Sequence, residues 1–513
     1  MTVMGSEQRR AAQVLFPSEK DFLRLASQYD IVTLSRTLDA DLETPVGLFM
    51  KLARPDHAFL LESAERGEHW GRYSFIGCEP LQVIRYQKGK LIFDVGGGGE
   101  TAGADPIDFL FDSMASLRAC PSPAELPFSG GAVGFFSYDL LPFIDDFRLD
   151  SRDGPDLPDM MFMFTRTLAA FDHLLARIIL MANVPIPRET DAPALKGLYL
   201  RAAASLDRMS KALARPVADL PRDIQRFSDE NDFEGVSCNR TREGYQEMVR
   251  IAKEYIYAGD VFQVVPSQRF CLPLGCPGFS VYRSLRSENP SPYMFYIRFG
   301  ALELIGSSPE PMVAKRGDRA IISPIAGTRP RGRDGREDRL LEEELRSDPK
   351  ERAEHVMLVD LARNDLGRVC LPGSVKVTRM MEVERFSHVM HLVSEVEGRL
   401  RPGRGPRDLI RSSFPAGTVS GAPKIRACQI IDELEGEKRG PYAGAVGYIS
   451  YQGDMDTCIA IRTIVCHEGM AYVQVGAGIV ADSDPGAEYE ETRNKARAML
   501  RAIRISQARE GLK

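Results

Sequence analysis

AGAVGYISYQGDMDTCIAIRTIVCHEGMAYVQVGAGIV, residues 443–480, carries the pattern that sets the fold class. Its apolar runs AGAVGYISYQG, DTCIAIRTIVC and MAYVQVGAGIV are strand-like and separated by short polar breaks, the pattern of antiparallel hairpins. Upstream, VFQVVPSQRF (261–270), MFYIRFG (294–300), ALELIGSS (301–308) and MVAKRGDRAIISPI (312–325) repeat the pattern, with Arg316-Gly317-Asp318 as a tight turn. REGYQEMVRIAKEYIYAGD (242–260) has apolar residues at three- and four-residue spacing and predicts a helix, and long helices are expected over 336–364 and 485–508. Nearer the start, the strand-like HAFLLES (57–63), LQVIRYQKGKLIFDV (81–95) and LARIILMANV (175–184) flank the helical PIDFLFDSMASLRA (106–119). The strand–helix alternation of a parallel sheet is missing. The expected class is therefore α+β, mixed α/β with large antiparallel sheets flanked by helices. Prolines at 185, 187, 193, 216 and 221 mark a seam over 184–222, which suggests an N-terminal domain, 1–225, and a second domain, 226–513.

Composition narrows the class of function. The 513 residues carry 66 Lys+Arg against 72 Asp+Glu, a net charge of −6, which gives no electrostatic reason to bind nucleic acid. No apolar stretch reaches the roughly 18 residues of a membrane-spanning helix, and Val14-Leu15-Phe16 is too short a run for an export signal. Nine cysteines without a C-x-x-C read as reduced, mostly buried thiols of a cytoplasmic protein. Gly96–Gly99 lacks the Lys-Ser/Thr of a phosphate loop and reads as a hairpin turn. Gly130-Gly131-Ala132-Val133-Gly134 reads as close backbone packing.

Candidate chemistry begins with two carboxylate pairs. Glu351 and Glu354 share a helix face, as do Glu488 and Glu491 in a helix opened by Pro485. Such pairs repel unless solvated or sharing a cation. They are either two exposed faces with a favourable first-turn charge or hard oxygen ligands for Mg²⁺. Glycine-rich segments at Gly327–Gly332, Gly417–Gly421 and Gly476-Ala477-Gly478 expose backbone N–H groups suited to anions. Arg462, within the apolar run CIAIRTIVC, is costly to bury without a partner. It fits either a structural ion pair or a clamp on a substrate carboxylate. His388 and His391 fall on opposite faces of a strand, so one as an acid/base and one as structure is the economical reading.

Together these segments resemble the chorismate-utilising enzymes, and among them the large-subunit (component I) family of anthranilate synthases. The resemblance rests on GDVFQVVPSQRF (259–270), NPSPYMFY (289–296), IGSSPE (305–310), SPIAGTRPRG (323–332), ERAEHVMLVDLARNDLGRV (351–369), HVMHLVSEVEG (388–398), FPAGTVSGAPK (414–424), GPYAGAVGYI (440–449), IAIRT (459–463) and VGAGIVADSDPGAEYEET (475–492). LLES (60–63), RYSFIG (72–77) and GGAVGFFSYD (130–139) extend it into the first half. Members that use water have a Lys where this chain has Gln263, and the aminodeoxychorismate synthases have a nucleophilic Lys in PIKGT where this chain has Ala326. Both departures point to ammonia as the attacking group and to anthranilate and pyruvate as products.

The resemblance implies a Mg²⁺-dependent lyase of tryptophan biosynthesis. It implies Mg²⁺ on Glu354 and Glu491 with Glu351 and Glu488 in support, and substrate contacts from Gly327, Thr328, Tyr442, Arg462, Gly476, Ala477 and Gly478. Thr418 would lie by the ring carboxylate, Glu310 would protonate the departing hydroxyl, and His391 would assist loss of pyruvate. No G-x-C-x-G nucleophile elbow occurs, so a separate glutamine amidotransferase subunit (component II) is implied, in a heterotetramer of two large and two small subunits. Glu62, Ser63, Pro292, Tyr293 and Met294 match the family's pocket for feedback inhibition by tryptophan, which places that pocket in the first domain and chorismate in the second.

Overall fold

A computed structural model describes residues 15–53, 56–63, 71–95, 98–122, 126–145, 148–149, 153–217, 232–386 and 389–511. Among the described residues, two antiparallel sheets of eleven and twelve strands dominate. Side chains alternate across each strand, so each sheet has two buried faces. Phe59, Phe75, Phe295 and Leu304 of the first sheet meet Val83, Val133, Met161 and Val446 of the second in a shared core. On its outer face the first sheet sets Leu60, Ile76, Tyr296 and Ile464 against helical Phe22, Leu206, Leu285 and Leu500. The second sheet sets Ile84, Phe136, Phe162 and Ile449 against Leu110, Val359, Leu409 and Ile430. The result is four layers, helix–sheet–sheet–helix, and the expected fold class is what is found.

The eleven-stranded sheet joins the strand His57–Glu62 to Tyr293–Phe299, and the twelve-stranded sheet joins Gly131–Phe136 to Ala445–Ser450. Both sheets therefore mix strands from either side of residues 225 and 226, a boundary outside the described residues. The close packing expected of Gly130–Gly134 is present. A Cβ on Gly131 would stand 2.0 Å from the Ile449 carbonyl oxygen and one on Gly134 would stand 1.9 Å from that of Met161. Of Gly96–Gly99, the first two residues lie outside the described residues, and Gly99 begins the strand Gly99–Ala102.

Two expectations are corrected. The helix expected over 336–364 is two helices, Gly335–Ser347 and Pro349–Gly367. Pro349 cannot continue the first, and Asp348 ends it while capping the second by accepting from the Lys350 and Glu351 amides at 2.9 and 3.2 Å. The run around Arg462 is not one strand either. Met455–Ile459 belongs to the second sheet and Thr463–His467 to the first. Their partners cross in step: Leu302–Ser308 lies in the first sheet and Pro311–Arg316 in the second. One antiparallel pair of segments thus bends from sheet to sheet, with Glu310 on one side of the bend and Arg462 on the other. The bend is tied by Ile459 N–H donating to the Glu310 carbonyl at 3.0 Å and Ser307 N–H donating to that of Arg462 at 3.1 Å. Arg462 sits there at φ 50°, a left-handed conformation that costs a non-glycine residue about 1–2 kcal/mol.

Candidate active site

The bend opens toward the starts of two helices that begin alike. Asp348-Pro349 opens one; Asp484-Pro485 opens the other, Pro485–Arg509, with the Asp484 carboxylate accepting from Ala487 N–H at 2.8 Å. These caps place Glu351 and Glu354, and Glu488 and Glu491, in the first two turns. The two ends are neighbours, because the ammonium of Lys350 on one acts on the Glu488 carboxyl of the other.

Around them the implied residues gather. Glu354 accepts from the Gln263 amide Nε2 at 3.3 Å. Glu310 feels Thr418, Lys495, Arg462 and Glu354, and burial is the largest influence, raising its pKa above the ordinary carboxyl value. Arg462 faces Glu310, Tyr442 and Glu491, with burial working against its charge. Gly476 and Gly478 keep this space open: a Cβ on the first would stand 2.8 Å from the Tyr442 Oη, and one on the second 2.7 Å from the Gln263 Nε2. Two buried polar atoms, Gln263 Oε1 and Thr418 Oγ1, have no hydrogen-bond partner among the described residues. An unpaired buried acceptor costs about 1–3 kcal/mol, so Gln263 Oε1 gains from any further donor, while the Thr418 hydroxyl acts on Glu310.

On the other side, the strand Ile325–Pro330 pairs with Val389–Arg399, and its register slips at Gly327. This bulge, at φ +73°, turns the Gly327 carbonyl toward His391, whose Nδ1 stands 3.0 Å from it and 3.0 Å from Thr328 Oγ1. A carbonyl only accepts, so Nδ1 carries the proton and Nε2 keeps the lone pair. Burial lowers the His391 pKa, which holds the ring neutral and fit to take a proton. His388 lies outside the described residues.

The sequence reading did not foresee two cations. Lys495 bridges Glu491 at 2.7 Å and the Gly476 carbonyl at 3.0 Å, and Arg329 bridges Glu344, Asp348 and Glu351 at 2.8, 2.9 and 3.2 Å. The Glu491–Lys495 spacing of four is a signal that sequence does carry. One member of each pair is thus ion-paired, Glu351 with Arg329 and Glu491 with Lys495, while Glu491 stays half exposed. No three acidic, histidine or cysteine side chains among the described residues converge into a closed metal site. The donors still fit Mg²⁺, which takes one or two carboxylates and fills its shell with substrate oxygens and water.

The five residues of the expected second pocket line one separate cavity of about 280 Å³ between the sheets, with Phe75, Arg316, Tyr448 and Asp456 completing its wall. Glu62 there is held by Arg286 at 2.8 Å and by the Tyr282 hydroxyl, while its Oε2 is buried without a partner among the described residues. Tyr293 donates to Asp456 at 3.0 Å, and Asp456 accepts from Arg316 at 2.6 Å.

The family model for chorismate binding enzymes matches residues 56–501. The chain is 43% identical over 496 residues to anthranilate synthase component 1 of Acetivibrio thermocellus, covering 96% of this chain and 99% of the relative. It is also 43% identical over 499 residues to that of Pseudomonas aeruginosa, with the same coverage. Among solved structures, anthranilate synthase component I from Streptococcus pneumoniae superposes with a TM-score of 0.73 at 39% identity, covering 85% of this chain and 95% of that one. The menaquinone-specific isochorismate synthase of Escherichia coli shares the fold at 19% identity and a TM-score of 0.68, covering 94% and 98%.

Proposed function

Because the chain belongs to the chorismate-binding enzyme family, and within it stands with the anthranilate synthase component 1 proteins, we propose that it converts chorismate and ammonia to anthranilate, pyruvate and water. The observation that carries this reading is at positions 263 and 326. A neutral amide and a methyl group stand where water-using and lysine-using members carry a lysine, so neither position can activate water or attack the ring, which supports an amine that arrives as the nucleophile.

Ammonia adds at ring carbon 2, the double bonds shift, and the 4-hydroxyl leaves as water on a proton from Glu310. His391 Nε2 then takes the proton from carbon 2 as the carbon 3–oxygen bond breaks. The ring becomes aromatic and the enolpyruvyl group leaves as pyruvate. Arg462, Tyr442, Thr328 and the backbone around Gly327 and Gly476–Gly478 hold the two carboxylates, and Thr418 completes its hydrogen bonding on the ring carboxylate. Glu354 and Glu491, supported by Glu351 and Glu488, would hold a Mg²⁺ whose charge offsets that of the dianionic substrate. Glu354→Gln and Glu491→Gln are each expected to reduce turnover at saturating Mg²⁺ by at least about 100-fold with the melting temperature preserved. Wild-type activity in either variant, or in chelated enzyme, would refute the metal assignment.

Supply of ammonia is assigned to a glutamine amidotransferase subunit, with two copies of each chain in the assembly and a cytoplasmic setting that suits nine cysteines outside any disulfide. Among the described residues no helix is long and apolar enough to cross a membrane. The decisive experiment gives the purified chain chorismate, Mg²⁺ and either ammonium or glutamine. Anthranilate with ammonium alone supports both the reaction and the separate subunit, whereas aminodeoxychorismate as the final product overturns the reading.

The 280 Å³ cavity is assigned to tryptophan: Glu62 Oε2 and Ser63 suit an ammonium and a polar edge, and Pro292, Tyr293 and Met294 suit an indole face. Met294→Thr is expected to raise the inhibitory tryptophan concentration about 10-fold or more while sparing turnover. Unchanged inhibition would show that tryptophan acts elsewhere.

A further inference from the structure

Arg439 is 3% exposed, deep behind the site, and no step of the reaction uses it. It follows the helix Lys424–Glu435 and forms a two-pronged pair with Glu435, Nε to Oε2 at 2.9 Å and Nη2 to Oε1 at 2.6 Å. Its remaining bonds go to main chain: Nη1 donates to the Val419 carbonyl at 2.9 Å and Nη2 to the Val265 carbonyl at 2.7 Å. The guanidinium carbon also lies 5.5 Å from the centre of the Tyr442 ring and 4.6 Å from that of Tyr138.

The two carbonyls and the Tyr442 ring lie at or within two residues of a functional residue, on three separate stretches of chain. Val419 follows Thr418, and Val265 is two residues after Gln263. Thr418 acts on Glu310, and Gln263 Oε1 gains from any further donor. Tyr442 is the substrate-facing ring itself. Glu435 extends the clamp, accepting from the Ser267 amide and hydroxyl at 2.7 and 2.8 Å at the start of the strand that pairs with Gly476. Asp139 fixes the near side by accepting from the Arg439 and Gly440 amides at 3.3 and 2.7 Å. A fork of fixed geometry makes these four bonds at once, two to the carboxylate and one to each carbonyl, whereas an ammonium has only three N–H groups and no fixed plane.

We propose that Arg439, oriented by Glu435, is a positioning residue that holds the segments bearing Gln263, Thr418 and Tyr442 in register around chorismate. This rests on the chorismate reading above and adds to it a residue that never touches the substrate.

The test is Arg439→Lys, which keeps the charge and removes the fork, with Glu435→Gln as a milder second variant. Chorismate affinity by calorimetry, kcat and KM for chorismate with ammonium, and the melting temperature are read on all three proteins. Arg439→Lys is expected to lower kcat/KM by about 100-fold, the effect of displacing reacting groups by about an ångström. Both kcat and KM should move and chorismate binding should weaken, in protein that melts cooperatively near the wild-type temperature. Glu435→Gln should shift the same quantities in the same direction by about 10-fold, and it carries the test if the lysine variant does not fold. Wild-type affinity and kinetics in the folded variants overturn the proposal. So does a loss confined to melting temperature with wild-type kcat/KM per folded molecule, the mark of a purely structural pair. Failure of the chorismate reading shows separately, as wild-type protein that neither binds chorismate nor forms anthranilate.

Discussion

Glu310→Gln is expected to lower kcat by about 10²–10⁴-fold, the range of a lost general acid, while KM for chorismate moves little. The amide keeps the shape of the carboxyl but has no proton to give to the leaving hydroxyl. The acid is useful only while protonated, and burial on the bend raises its pKa toward that state. At a fixed concentration of free ammonia the wild-type rate should fall as pH rises past this raised value, and the glutamine variant should lose that limb. A near-normal rate in Glu310→Gln, or an unchanged alkaline limb, would move the acid elsewhere.

Arg462→Gly should separate stability from function. The guanidinium faces Glu310, Tyr442 and Glu491 beside the Lys495 ammonium, and two charge-assisted bonds to a carboxylate, at about 1.5–3 kcal/mol each, correspond to a loss in kcat/KM of at least about 100-fold. The folded protein without substrate gains little from this side chain, since burial works against its charge and its backbone is left-handed at φ 50°. Glycine removes both costs, and the relief of about 1–2 kcal/mol in the backbone outweighs the roughly 0.5–1 kcal/mol of added chain entropy. The melting temperature should therefore hold or rise while activity collapses. A clear drop in melting temperature would show that Arg462 is a structural ion pair, the alternative its sequence context leaves open.

The legible parts of this molecule are those written locally. Asp348-Pro349 and Asp484-Pro485 start helices by capping chemistry, and the three- and four-residue spacing of apolar side chains gives the helix Arg242–Tyr257. The five pocket residues fall into one cavity because the register Met294↔Glu62 brings two short motifs side by side. What sequence conceals is which sheet a strand joins. DTCIAIRTIVC is one apolar run by composition, yet its halves lie in different layers, because a buried strand looks alike wherever its partners are. Arg439 is half hidden for the same reason: its pairing with Glu435 has the spacing of a helix pair, but its other bonds go to the carbonyls of Val265 and Val419, which carry no signature in the residue names. The single long helix expected over 336–364 misjudged Pro349, whose ring forces a new start.

The interleaving of the two sheets also dictates when the chain can finish folding. Thr463–His467 and Met470–Gly476, close to the end of the chain, are interior strands of the eleven-stranded sheet, and Ala445–Ser450 pairs with Gly131–Phe136 inside the other. A nascent chain that has emerged as far as residue 440 lacks the strands that join Leu302–Ser308 to Ser267–Pro273 in one sheet and Gly131–Phe136 to Pro311–Arg316 in the other, which leaves apolar edges that recruit other strands. Neither sheet is continuous until residues 445–476 have left the ribosome, so these edges stay unpaired while everything before them is made.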